Sequence, residues 1–125
     1  MKYSEITERI IGSAMKVHRE LGAGFQEYIY QRALEIEFKK TNIKFSCEYE
    51  MPIYYQGEKI GIRIVDFYVE EKIMVELKAI TVLDDVHLAQ ALDYLEASAH
   101  EVGLLINFGP KSLQFKRLHN RKLSQ

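Results

Sequence analysis

The stretch Ile64-Val65-Asp66-Phe67-Tyr68-Val69-Glu70-Glu71-Lys72-Ile73-Met74-Val75-Glu76-Leu77-Lys78 decides the fold, because Asp66, Glu76 and Lys78 stand inside runs that otherwise favour strands. The β-branched and aromatic residues Ile64, Val65, Phe67, Val69, Ile73 and Val75 predict two strands, with Glu70-Glu71-Lys72 as the polar break between them. With those three residues as the loop of a hairpin, Val69 pairs with Ile73, and stepping back along both strands sets Asp66 opposite Glu76. Directly opposed side chains share a face, about 5 Å apart at Cβ. Alternation puts Lys78 beside Glu76 on that face and sends Val65, Phe67, Val75 and Leu77 the other way, into a core. Two facing carboxylates resist ionising together unless a positive charge lies between them. A divalent cation answers that need, and Lys78 adds a second positive group able to orient a water or hold a developing oxyanion. The same spacing suits a solvated edge hairpin in which Lys78 simply pairs with Glu76.

Working outward, a chain of 125 residues suits one domain spanning 1–125 with a sizeable core. Apolar residues make up 47% and Gly and Pro are few, which excludes a disordered or fibrous chain. The first residues, Met1-Lys2-Tyr3-Ser4-Glu5, carry no apolar signal core, and no run approaches the roughly 20 apolar residues of a membrane span. The expected location is therefore cytoplasmic, with no membrane partner. The single cysteine, Cys47, has no Cys or His nearby at zinc-site spacing and is expected to be a buried or half-buried strand residue. A net charge of −1 excludes a global positive field for nucleic acid. Beyond Glu101, however, Lys111, Lys116, Arg117, Arg121 and Lys122 occur with no acidic residue, forming a local basic patch that suits phosphates and equally suits a solvated tail.

Ser4 as N-cap, followed by Ile6, Ile10, Ala14, Val17 and Leu21, predicts a first helix whose broad stripe also takes in Ile11, Met15 and His18. His18 then faces inward, as a hydrogen-bonded structural residue or as a functional one. Gly22 or Gly24 ends this helix, and a second begins near Phe25 with Tyr30, Ala33, Leu34 and Phe38 as its stripe. Glu27 falls one turn before Tyr30 on that inner stripe, while Gln31 and Glu35 lie on the outer face. An inward carboxylate is costly unless it is paired. After Thr41-Asn42, strands are expected over 44–50, 52–56 and 59–64, a curled antiparallel meander leading into the hairpin. Asp84 or Asp85 caps a third helix, from Val86 to about Ala97, with Leu88, Ala91, Leu92 and Leu95 inward. Gln90 and Tyr94, four apart, project together from an adjacent face. Val102 to Phe108 reads as a strand buried on both faces and 113–118 as a last short strand. The order gives an α/β (α+β) layer, a mixed sheet flanked by helices.

Together these positions resemble the PD-(D/E)XK nuclease superfamily, and within it the small bacterial group of GxxExxY proteins. The residues that carry the likeness are Gly24-Phe25-Gln26-Glu27-Tyr28-Ile29-Tyr30, the preceding Val17-His18-Arg19-Glu20-Leu21-Gly22, Asp66, Glu76-Leu77-Lys78, and Gln90-Ala91-Leu92-Asp93-Tyr94. Asp followed by Glu-x-Lys is weakly specific alone. With Glu27 before it and the Gln-x-x-x-Tyr helix after it, the set looks most like the RecB-type exonuclease branch. Val65 stands where the motif usually has proline. The resemblance implies a restriction-endonuclease-like core, Asp66 and Glu76 as ligands of Mg²⁺ or Mn²⁺, and Lys78 steadying the attacking water or the phosphate. It further implies Glu27 as an additional acidic group, and Gln90 and Tyr94 as substrate-positioning residues, with His18 on the motif-bearing first helix grouped with them.

Magnesium takes oxygen ligands and keeps several waters, so two carboxylates and the Leu77 carbonyl suffice to hold it near a phosphate. The expected activity is metal-dependent hydrolysis of a DNA or RNA backbone; a second ion would need Glu27. A catalytically silent module of the same fold, holding nucleic acid or a protein through the basic tail and the Gln90/Tyr94 face, is the alternative. A glycosidase would need its carboxylates about 5 to 10 Å apart in a sugar-sized cleft, and there Lys78 has no task. A chain this small, with no separate DNA-reading part, is also suited to work as a homodimer or in a larger assembly, although no dimer motif is legible.

Overall fold

The hairpin forms at the register its turn dictates. In the computed structural model, which describes residues 2–123, the elements are α1 (Ser4–Leu21), α2 (Glu27–Lys40), β1 (Phe45–Tyr55), β2 (Glu58–Val69), β3 (Ile73–Lys78), α3 (Asp85–Ala97), β4 (Val102–Asn107) and β5 (Gln114–His119). Val69 pairs with Ile73, Tyr68 with Met74 and Phe67 with Val75, closed by the Lys72 N–H donating to the Val69 carbonyl at 3.0 Å. Glu70 and Glu71 both take left-handed backbone (φ 54° and 55°), the twist a tight hairpin turn demands.

The strands form one sheet in the order β1-β2-β3-β4-β5. All neighbours are antiparallel except β3 and β4, which run parallel because α3 carries the chain across between them. β4 is buried along its whole length, as its unbroken apolar run requires. The expected strands over 44–50 and 52–56 are one continuous β1, and the strand expected over 59–64 is the first half of β2. Pro52 does not break β1, which is the edge strand and tolerates a residue without an amide proton.

One core lies between the sheet and the α1/α2 pair: Ile10, Ala14, Val17, Tyr30, Leu34 and Phe38 meet Phe67, Val75, Leu77 and Ile106. The second lies under α3, where Ala91 and Leu95 meet Met51, Val65, Met74 and Leu105. Helical spacing alone places these faces, with two corrections. Met15 is exposed, and Tyr3, in left-handed backbone at the N-cap position of α1, supplies no side-chain cap, Ser4 being the first helical residue.

A third correction bears on function. Val65 and Phe67 do not share a face: Val65 packs under α3 and Phe67 under α1 and α2. The reason lies in β1, where Glu48 adopts left-handed backbone (φ 52°) and the Glu48/Asp66 pair drops out of a ladder that otherwise runs from Phe45↔Val69 through Tyr49↔Val65. Both strands roll over at this point, as at a bulge. Phe45, Cys47 and Phe67 therefore face one core, and Tyr49, Met51 and Val65 the other.

Candidate active site

Asp66 sits on the rollover and is freed from its ladder by it. Its β2–β3 pairing ends at Phe67↔Val75, so the carboxylate takes the place of a backbone acceptor: Oδ2 accepts the Leu77 N–H at 2.7 Å. Glu76 leaves the hairpin ladder and aligns instead with Leu105 of β4. The expected face-to-face Asp66/Glu76 pair is thus replaced by a splay in which Asp66 braces β3 one residue past Glu76.

Glu76 is buried on the α3 side. Desolvation pushes its carboxyl up to about 7, helped by the Asp66 charge and opposed by Arg63 and Lys78. Arg63 was not a predicted site residue. Its Nε donates to Glu76 Oε1 at 3.1 Å and its Nη2 lies 3.0 Å from the same oxygen, so both nitrogens converge on one atom. Its guanidinium also rests on the Tyr94 ring, 3.7 Å from the centroid. Strict alternation from Asp66 would have turned Arg63 away from Glu76, and the rollover brings it round. The signal that could have found it is a lone cation in the apolar run Ile62-Arg63-Ile64-Val65.

The remaining predicted residues divide. Lys78 is half-buried at the end of β3, close enough to act electrostatically on Asp66, Glu76 and Glu27, and its ammonium forms no hydrogen bond among the described residues. Asp66 is raised by burial, against the pull of the Leu77 N–H and of the Lys78 and Arg63 charges. Glu27, the first residue of α2, is exposed and not on the inner stripe. Partial desolvation and then the Asp66 charge still raise its carboxyl, with Lys78 opposing. Gln90 Nε2 donates to Tyr94 Oη at 3.3 Å, so the pair projects together as its spacing predicts. His18 is buried, with Nε2 2.9 Å from the Pro110 carbonyl oxygen and 3.2 Å from that of Phe108, which makes it a brace for the loop after β4. Leu77 contributes its N–H through the bond to Asp66. Gln31, expected on the outer face, is half-buried and donates through Nε2 to Cys47 Sγ at 3.1 Å and to the Asp66 carbonyl at 3.4 Å. Of the basic C-terminal residues, Arg121 is held by Glu96 at 2.9 Å and Arg117 reaches Thr7 Oγ1 at 3.3 Å, so the patch is partly committed within the fold.

Arg63, Glu76, Lys78, His87, Gln90 and Tyr94 line a narrow cavity of about 10 Å³, the space of one water. A larger cleft of about 450 Å³ lies by the β2–β3 turn, lined by Lys44, Tyr68, Glu71 and Lys72 among others; the site is marked by its chemistry and not by its size. Among the described residues no three His, Cys, Asp or Glu side chains are gathered in ligating range. The donor set nevertheless suits a hard cation. Each carboxylate is held through one oxygen, Asp66 Oδ2 and Glu76 Oε1, and neither Asp66 Oδ1 nor Glu76 Oε2 accepts a hydrogen bond from the described residues.

A model of the PD-(D/E)XK nuclease superfamily matches residues 4–118. The chain belongs to the PD-(D/E)XK nuclease superfamily. A five-stranded mixed sheet with helices on both faces accords with the restriction-endonuclease-like fold of PD-(D/E)XK proteins. Nucleases of the PD-(D/E)XK superfamily generally use divalent metals. No curated protein and no solved structure matches this PD-(D/E)XK chain. Among its described residues, no helix is long and apolar enough to cross a membrane.

Proposed function

We propose that this chain is a Mg²⁺- or Mn²⁺-dependent nuclease hydrolysing the phosphodiester backbone of DNA or RNA. The observation that carries this reading is the pair of half-held carboxylates, Asp66 of β2 and Glu76 of β3, near the Lys78 ammonium, which forms no hydrogen bond among the described residues. Asp66 and Glu76 would hold the ion, with the Leu77 carbonyl as a third oxygen and Glu27 as the outer acid. A bound divalent ion supplies Lewis-acid polarisation of the phosphate and a lowered water pKa. The Leu77 N–H fixes the Asp66 carboxylate in the orientation a ligand needs before anything binds. Lys78, at the rim of the same crevice, steadies a phosphate oxygen or the attacking water as a fixed point charge. Gln90, on α3, is exposed at the cavity mouth and suits substrate placement.

Glu76→Gln and Lys78→Ala should each remove Mg²⁺-dependent cleavage of single- and double-stranded DNA and RNA while circular dichroism stays native. Cleavage that survives both changes means that another site does the chemistry. A second reading draws on the Arg63–Glu76 contact: a carboxylate already neutralised by a guanidinium suits a catalytically silent module that binds nucleic acid or a protein. In that case calorimetry finds no Mn²⁺ at the site, while binding without cutting persists.

A further inference from the structure

The geometry points to Arg63 as the site's resident counter-cation, a positioning residue that holds Glu76 for the metal and must release it when the metal binds. This inference rests on the metal-dependent reading above and assigns a role to a residue outside the acid-acid-lysine set.

Three observations carry it. The guanidinium spends two N–H groups on Glu76 Oε1 alone, leaving Oε2 unclaimed, where a bidentate fork would close both oxygens. The carboxylate therefore keeps one face open to an incoming ion. The guanidinium is also seated independently of Glu76: it stacks 3.7 Å from the Tyr94 ring, and Tyr94 Oη in turn accepts from Gln90. Losing its bonds to Glu76 does not leave Arg63 without support. Finally, Arg63, Glu76 and Lys78 line one narrow cavity together with Gln90 and Tyr94 of α3, so an ion that reaches Glu76 from that side meets the guanidinium.

A buried carboxylate stripped of its cation is strongly destabilising, so a resident charge serves the ionised form of Glu76 in the metal-free chain. An arriving divalent ion replaces one cation by another. Two positive charges cannot share Glu76 as closely as either alone, so Arg63 and the metal compete, and Arg63 sets the metal concentration at which the site fills. Tyr94 and Gln90 accordingly act through Arg63, as the platform on which it waits.

The test is Mn²⁺ binding to the full chain by calorimetry and by electron paramagnetic resonance of the free ion, with circular dichroism confirming the fold of each variant. Arg63→Gln should bind Mn²⁺ roughly tenfold tighter than the native chain, the weight of one charge-assisted hydrogen bond. Arg63→Lys keeps the positive charge but loses the paired N–H contacts to Oε1 and the stacking, and should also bind tighter; affinity equal to native in Arg63→Lys would reduce the effect to net charge and overturn the proposal. In the native chain the ¹⁵N-edited Nε–H signal of Arg63 should move on saturation with Mg²⁺, and an unmoved signal would overturn it as well. Unchanged or weaker Mn²⁺ binding in Arg63→Gln overturns the competition and leaves the metal site standing. Binding that is absent from both chains, or that survives Glu76→Gln, removes the metal site and this inference together.

Discussion

Asp66 Oδ2 accepts the Leu77 N–H at 2.7 Å, so a side chain of β2 fills the ladder position that the backbone vacates where β2 and β3 part. Leu77 is buried, and its amide would otherwise have no partner on that side. Asp66→Ala should therefore lower stability by about 1–3 kcal/mol, the cost of an unsatisfied buried donor. Asp66→Asn keeps an acceptor oxygen and should fold nearly as well, yet lose most Mg²⁺-dependent cleavage. Urea unfolding and a cleavage assay on both variants separate the two roles. Equal loss of stability in both would mean that charge, not the hydrogen bond, matters at this position.

The Glu76 carboxyl gives a pH dependence with a definite sign. It holds its proton to about 7 in the folded metal-free chain, against an ordinary 4.5. Between those values unfolding releases a proton, so stability is fully present below about 4.5 and falls as pH rises to about 7. The loss attributable to this group is about 3 kcal/mol, at roughly 1.4 kcal/mol per pH unit. Glu76→Gln should flatten that slope in chelator-treated protein, as read from denaturant midpoints between pH 5 and pH 8. Divalent binding, which needs the carboxylate ionised, should weaken as pH falls below about 7.

Tyr30 is the staple of the segment that presents Glu27. Its ring stacks on Phe108 with centroids 4.5 Å apart, its hydroxyl donates to the Gly22 carbonyl at 2.6 Å, and the Phe25 N–H donates to the hydroxyl at 3.2 Å. Tyr30→Phe keeps the stacking and removes both bonds. It should cost about 1–2 kcal/mol in thermal unfolding, and backbone amides of residues 22–27 should exchange faster with deuterium while those of β4 do not.

Gly109 and Asn107 tie the segment after Lys78 to β4. A Cβ on Gly109 would lie 2.0 Å from the Ile80 carbonyl oxygen, an overlap that backbone must move to relieve. Asn107, fully buried, accepts the Ile80 and Gly109 N–H groups on Oδ1 at 3.0 and 3.1 Å and donates through Nδ2 to the Ile80 carbonyl at 3.0 Å. Gly109→Ala should destabilise by about 1–3 kcal/mol. It should also reduce cleavage, because Ile80 lies just beyond Lys78. A stable, fully active Gly109→Ala chain would show that this loop adapts freely.

How far the sequence could be read is plain from β2. Turn chemistry at Glu70-Glu71-Lys72 fixes the hairpin register locally, so Val69↔Ile73 follows from residues that are neighbours in the chain. The α3 cap behaves the same way, with Asp84 Oδ1 accepting the His87 N–H at 3.1 Å. Arg63 and the face of Val65 lie beyond such reasoning, because period-two counting assumes an unbroken ladder and nothing in the residue types around Glu48 announces left-handed backbone there. Glu27 misleads for a related reason: helical counting from Tyr30 points it inward, but it is the first residue of α2, where no preceding turn covers it. The residues that one local element controls were legible; those whose direction depends on how two strands roll together were not.

Pro52 has a consequence for how this protein behaves among copies of itself. Ile60, Ile62 and Ile64 leave an apolar row exposed on β2, next to the sheet's outermost strand. Such a ribbon invites strand-by-strand polymerisation in a crowded solution, and a missing amide midway along β1 interrupts the row of donors a newcomer would need. Replacing Pro52 with a β-branched residue would improve the strand locally and leave the chain more prone to precipitate.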